Sequence, residues 1–355
     1  MLIVAAVILV IFLGNRGDEP VEKPDDITPT TTSGPTDSGN IDTTPTAAPP
    51  SVDDQNGAVL KDYPDGRYAG NLEDGLRSGY GVMFYNDGRI YAGPWVNDQK
   101  SGQGVLVRSS GDRCEGIWTN DVLSGQAVMT IPNVGVFNGN FENDDRNGYG
   151  VLEYEDGRKY EGNWVNDVRS GEGTFSWTNG DVYTGNWEDD KFNGYGVTIY
   201  SDGRRYEGNW LDDQRSGEGT FTWANGDVYI GNWENNSRNG HGVLTFADGR
   251  RYEGNWLNSE QSGQGTFTYA NGNVYIGNWV AAQRSGQGVY TFTDGRRYEG
   301  AWENNQYNGG GTFTWPNGDV FVGLFVDGQR HGPGVLTWAN GETQEGTWQN
   351  DVFIG

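Results

Sequence analysis

The sequence predicts an all-β protein: an elongated, twisted single-sheet array of about a dozen 23-residue β-hairpin repeats, preceded by a disordered linker. Three observations predict it. First, Tyr206 to Val228 (YEGNWLDDQRSGEGTFTWANGDV) is followed by a variant of itself, YIGNWENNSRNGHGVLTFADGRR, and then by YEGNW again. Self-similarity at a fixed short period marks a repeat architecture. Second, the register is strict. In steps of 23 from Tyr68 through Tyr160 and Tyr206 to Gln344, glycine stands two residues on in all thirteen units, from Gly70 to Gly346. Trp stands four residues on in ten of them, with Leu72, Phe141 and Phe325 as the exceptions. Third, residues alternate with period two. Tyr206, Gly208 and Trp210 share one face and Glu207 and Asn209 the other, as half-buried strands require.

In chain order, Met1 to Leu13 (MLIVAAVILVIFL) is uninterruptedly apolar. As a helix it would be about 20 Å long, short of the roughly 30 Å hydrocarbon core of a bilayer. It lacks a basic leading region and a small-residue cleavage site. The expectation is a membrane segment whose upstream residues are missing, with an atypical signal peptide as the alternative. Residues 14–56 hold TPTTTSGPTDSGNIDTTPTAAPPS and no aromatic residue. Such a stretch cannot bury enough surface to offset its ordering entropy and reads as an extended, disordered spacer. Residues 57–355 form the array, with Gly57 to Arg67 resembling the back half of a unit and capping it. Units 160–343 also alternate in pairs, a 46-residue period.

Within a unit, Leu211 to Ser216 reads as a polar turn. Asn225-Gly226 reads as the tight turn into the next unit, with positive φ at both central residues. About two dozen strands at 4.8 Å spacing would extend on the order of 110–120 Å. Glycines at Gly162, Gly171 and Gly173, or at Gly208, Gly217 and Gly219, leave the backbone bare. The rings of Tyr160 and Trp164, or of Tyr206, Trp210 and Trp223, can then lie over the sheet and pack on one another. Gly208→Val should unseat them.

Charge limits the partners. The chain carries a net −25, of which −7 lies in residues 1–56 and −18 in the array. Nucleic-acid binding and direct binding of anionic lipid by the array both need Lys and Arg to neutralise phosphate, and this composition argues against both. The steps Arg204-Arg205, Arg250-Arg251 and Arg296-Arg297 sit among carboxylates and read as solvated loop charges. Cys114 is the only cysteine, so no intrachain disulfide forms. It takes the Tyr position of the least regular unit, where Ala127 replaces a glycine and Pro132 is read as interrupting the second strand.

The residues offer little chemistry. His241 and His331 are the only histidines and stand about four units apart, roughly 35–40 Å. No Ser-His-Asp, Cys-His or His-based metal constellation assembles from them. Gly171 to Gly180 has no lysine and no strand-to-helix context, so it is not a phosphate loop. Glu161, Glu207, Glu253 and Glu299 are copies of one exposed position, whereas an active site is normally unique. The expectation is no enzyme, no cofactor and no catalytic or metal residue. Asp/Asn turns such as Asn166-Asp167, Asp189-Asp190 and Asp212-Asp213 could hold Ca²⁺, though solvated turns are the simpler reading. Trp177, Trp223, Tyr269 and Trp315, about 20 Å apart in every second unit, form a candidate binding face for sugar or choline groups, against the simpler reading of core packing.

The unit YEGNW…GxG…DG resembles the MORN (membrane occupation and recognition nexus) repeat over residues 68–355. One family feature is thinned, since its His-Gly step before the unit's second glycine is present only as His331-Gly332. The resemblance implies an extended, twisted array of hairpins that acts as a scaffold, oligomerisation or targeting module. Together these readings lead to an expected function: a non-catalytic scaffold, membrane-anchored by its N-terminus with the array extracytoplasmic, that binds a protein partner. Self-association through unpaired terminal strands and an envelope glycan-binding module are the alternatives.

Overall fold

The computed structural model describes residues 59–355; the apolar segment 1–13, the linker 14–56 and the first two residues of the array lie outside them. The described residues contain 28 strands and no helix, all in one open antiparallel sheet. Each strand hydrogen-bonds to the strands just before and after it in the chain, as Arg205–Leu211 does with Lys191–Ile199 and Gln214–Thr222. Gln99–Lys100 and Gly102–Val107 are two pieces of one broken strand, both paired with Ile90–Val96. The capping strand Val59–Tyr63 pairs with Gly66–Glu73.

Two turn types alternate, and they are distributed differently from the sequence expectation. The polar turn is only Asp212-Asp213, since strand structure runs to Leu211 and resumes at Gln214. It is here that both central residues have positive φ, 49° and 65°, the mirror-image turn whose twist matches the strands it joins. Asn225-Gly226 belongs instead to a three-residue loop, closed by Gly226 N–H donating to the Trp223 carbonyl and Trp223 N–H to that of Asp227, both 2.9 Å. Only Gly226 has positive φ there, 89°.

A two-residue turn needing positive φ twice favours Asn, Asp and Gly, yet one turn is Ala281-Ala282, at φ 47° and 59°. Ala281→Asn should therefore raise stability by about 1 kcal/mol, read as a higher midpoint in chemical denaturation.

The hairpin also carries a bulge. Gly208 pairs with Gly219 but Trp210 with Arg215, so Asn209 alone stands opposite Ser216, Gly217 and Glu218. Gly217 turns this bulge at φ +66°, and the Asn209 side-chain amide donates to the Glu218 carbonyl at 3.3 Å. The expected role of Gly217 as a bed for a ring is thus corrected: its nearest neighbour is the Asn209 side chain, 3.5 Å from where a Cβ would be. Gly171, at φ +72° beside Asn163, does the same.

Gly208 and Gly219 are the bed. A Cβ on Gly219 would meet the Tyr206 ring at 2.6 Å, and one on Gly208 would meet the Gly219 Cα at 2.5 Å. Tyr206 lies across both, fully buried, and its hydroxyl donates to the Asn209 carbonyl at 2.9 Å. The ring touches Trp210 and, one unit on, Trp233, edge to face at 5.0 and 5.6 Å. Trp233 in turn donates its indole N–H to the Gly219 carbonyl at 3.3 Å. Tyr160 repeats this over Gly162 and Gly173, with Trp164 and Trp187 at 5.2 Å each. The core is a zigzag of alternating Tyr and Trp rings on one face of a single sheet.

The degenerate unit keeps this core by other means. Cys114 is buried in the ring position, with its thiol pKa raised chiefly by burial. Leu123 is fully buried and reaches to 2.7 Å from where a Gly116 Cβ would be, filling space the missing ring leaves. Pro132 does not interrupt the strand, which runs Val122–Ile131; the proline opens the turn that follows.

Candidate interaction face

The four candidate rings lie at the ends of second strands. Trp177, Trp223, Tyr269 and Trp315 are half-buried, each 4.6 Å from the phenylalanine two residues earlier: Phe175, Phe221, Phe267 and Phe313. They are not confined to every second unit. Tyr200, Phe246 and Phe292 fill the same position between them and Trp338 one unit beyond, so the stripe has one ring per unit, about 10 Å apart. The sequence reading passed over the intermediate rings because the 46-residue period drew attention to alternate units.

Beside the stripe runs a set of inter-unit clamps that sequence reasoning missed. Arg169 lays its guanidinium 4.4 Å from the Trp187 ring centre and reaches the turn of the next unit. Its Nε donates to Asp190 Oδ1 at 2.7 Å, its Nη2 to the Asp190 carbonyl at 2.9 Å, and its backbone N–H to the same carboxylate at 3.0 Å. Arg77–Asp98, Arg146–Asp167 and Arg330–Asp351 repeat the geometry, and Arg215–Asn236 and Arg284–Asn305 repeat it with an amide. Each clamp combines a cation–π contact with hydrogen bonds to a charged or polar turn. The available signal was the covariation of residues 21 apart. Two turn residues without an acceptor side chain, Ala282 and Gly328, follow units in which Gln261 and Tyr307 replace the arginine.

These contacts account for the acidic turns considered for Ca²⁺. Asp167 and Asp190 hold arginines, Asp213 accepts the Phe192 N–H at 2.8 Å, and Asp212 pairs with Lys191 at 2.9 Å. Among the described residues no three His, Cys, Asp or Glu side chains gather to hold a metal. The basic steps are paired as well, one arginine on each face. Arg250 stacks 4.4 Å from the Phe246 centre and bonds Asp248, whereas Arg251 bonds Glu253 at 2.6 Å on the opposite face. Glu161, Glu207 and Glu299 are held in the same way by Lys159, Arg205 and Arg297. Glu161 also accepts from the Tyr149 hydroxyl and Glu207 from that of Tyr195.

Two of the clamp carboxylates, Asp98 and Asp167, titrate low. Burial alone would raise Asp98 and Asp167, but the partner arginine's hydrogen bonds and charge outweigh it. A depressed folded pKa means that the contribution of these two clamps is complete above the unfolded carboxylate value of about 4 and is lost as pH falls through the folded value. The melting temperature should therefore hold from about pH 7 to 5 and drop below about pH 4. Asp167→Asn should make that drop shallower.

A family model for the MORN repeat matches twelve consecutive stretches, 68–88, 91–113, 114–133, 137–157, 160–182, 183–204, 206–228, 229–250, 252–274, 275–296, 298–320 and 321–343. The chain is a MORN-repeat protein. No curated protein matches the sequence of this MORN-repeat protein. Similar solved structures include the SAS-4 TCP domain of Drosophila melanogaster, at 14% identity over 50% of this chain and 85% of that one, TM-score 0.26. The TCP10 domain of Danio rerio CPAP gives 13% identity over 62% and 94%, TM-score 0.25. Virginiamycin B lyase of Staphylococcus aureus gives 14% over 79% and 87%, TM-score 0.12. Overlaps this loose carry no functional argument.

Proposed function

We propose that this MORN-repeat protein is a non-catalytic scaffold for protein–protein interaction or assembly, tethered to a membrane by residues 1–13 and holding its array on the extracytoplasmic side. The observation that supports it most is where the repeated polar groups go. The clamp arginines bind the next unit's turn, and the lone glutamates are ion-paired beside identical copies, which leaves a long repetitive surface rather than one reactive site. The face opposite the rings also exposes Ile230, Ile276 and Val322 between those ion pairs, each more than half accessible. Alternating apolar and charged patches of this kind suit a protein surface. The glycan reading has the half-buried stripe in its favour, but each candidate ring already has a neighbour at 4.6 Å.

The test uses the full chain as bait, beside co-sedimentation with envelope glycan and with anionic liposomes. A discrete protein retained through moderate salt is the expected result. Retention on glycan alone would replace the scaffold with the lectin-like reading.

A further inference from the structure

The clamp lacks both its arginine and its acceptor side chain at Gln261–Ala282 and at Tyr307–Gly328, and a cleft of about 340 Å³ lies at the second. It is bounded by the rings of Tyr307, Phe313, Trp315 and Phe325, by Gly328, and by the Arg330–Asp351 ion pair. One unit earlier, the residues equivalent to Tyr307 and Gly328 are Arg284 and Asn305. There the guanidinium lies 4.5 Å from the Trp302 ring centre and 5.5 Å from that of Tyr290, the equivalents of Phe325 and Phe313. Its Nη2 donates to the Asn305 carbonyl at 2.7 Å. In the later unit Tyr307 stacks on Tyr298 at 3.9 Å and has no guanidinium to offer the Gly328 carbonyl, and Gly328 brings no side chain to the turn.

We propose that this cleft receives an arginine side chain from a protein partner, so that the array is completed in trans where it does not complete itself in cis. The chain supplies its own template for the ligand. The rings and the turn carbonyl are the elements that hold the Arg284 guanidinium one unit earlier. The charge of Arg330, the one cation among the described residues lining the cleft, is already matched by Asp351 at 3.0 Å, and the array's net of −18 favours a cationic guest. A guanidinium suits the site better than an ammonium, because it can stack flat on rings while donating in its own plane. This deepens the scaffold reading and rests on it only for the source of the arginine.

The test titrates the full chain with acetyl-Gly-Arg-Gly-amide and with its neutral citrulline counterpart. The readout is the Trp315 indole N–H signal, assigned by its loss in Trp315→Phe. A saturable shift with the arginine probe, at least fivefold weaker with citrulline, is expected. The variant Tyr307→Arg/Gly328→Asn, which fills the cleft as Arg284 and Asn305 fill theirs, should lose the shift while keeping its melting temperature. Gly328→Asn alone, tolerable at a φ of 83°, should weaken binding and serves if the double variant folds poorly. No saturable shift, equal affinity for citrulline, or unchanged binding in the filled variants would overturn the proposal. A partner captured equally by wild type and filled variant would also overturn it, yet would leave the scaffold reading standing.

Discussion

Gly208→Val should destabilise the array by about 3 kcal/mol or more, at the upper end of what overpacking costs. Any Cβ there would stand 2.5 Å from the Gly219 Cα, 2.7 Å from the Glu218 carbonyl oxygen and 2.7 Å from the Tyr206 hydroxyl. Two of those three atoms are backbone of the paired strand, so relief requires parting the strands rather than turning a side chain. The ring cannot move away freely either, because Trp210 and Trp233 hold it from both sides. Gly217→Ala makes the control. It meets nothing closer than 3.5 Å and should cost only the about 1 kcal/mol of a left-handed φ. Equal losses for the two variants, by denaturant titration, would remove the distinction between ring-bed and bulge glycines.

The second large effect is expected at the ring itself. Tyr206→Ala should cost about 4 kcal/mol, the range for deleting a buried aromatic side chain. Tyr206 is fully buried and covers two glycines that have no side chains of their own to close the gap. Tyr206→Phe should cost only about 1 kcal/mol, the net worth of the hydroxyl's bond to the Asn209 carbonyl. The chain already uses that substitution: Phe137 and Phe321 take the same position, fully buried. Burial holds the Tyr206 hydroxyl pKa well above the usual tyrosine range, so no part of this difference should vary between pH 6 and 9. A Phe variant as damaged as the Ala variant would mean that the hydroxyl rather than the ring organises the unit.

What the sequence made legible was whatever is local and periodic. Tyr206, Gly208, Trp210 and Gly219 lie within one hairpin, and their alternation alone puts them on one face. The turns were harder, because Asp212-Asp213 and Asn225-Gly226 carry the same residue preferences. Only the hydrogen bonds show that one loop has two residues and the other three. Gly217 looked like another bare site because a glycine for φ and a glycine for space are the same letter. The clamps were missed for a different reason. Arg169 and Asp190 each resemble a solvated turn charge, and their meeting depends on how far one hairpin is offset from the next. The candidate face lay between these cases, since Trp177 and Trp223 were visible as rings but the phenylalanines and arginines around them decide how much of each ring is left over.

The account's central claim is that each unit is held only by its neighbours, in most units through a ring on two glycines and a clamp to the next turn. Native-state hydrogen exchange of Gly208→Val tests it most directly. Protection should fall in the strands between Val182 and Leu257 and stay at wild-type levels in 68–142 and 298–343, as nearest-neighbour coupling in a repeat array requires. Loss of protection spread evenly from Val59 to Phe353 would contradict the claim and make the array one cooperative body.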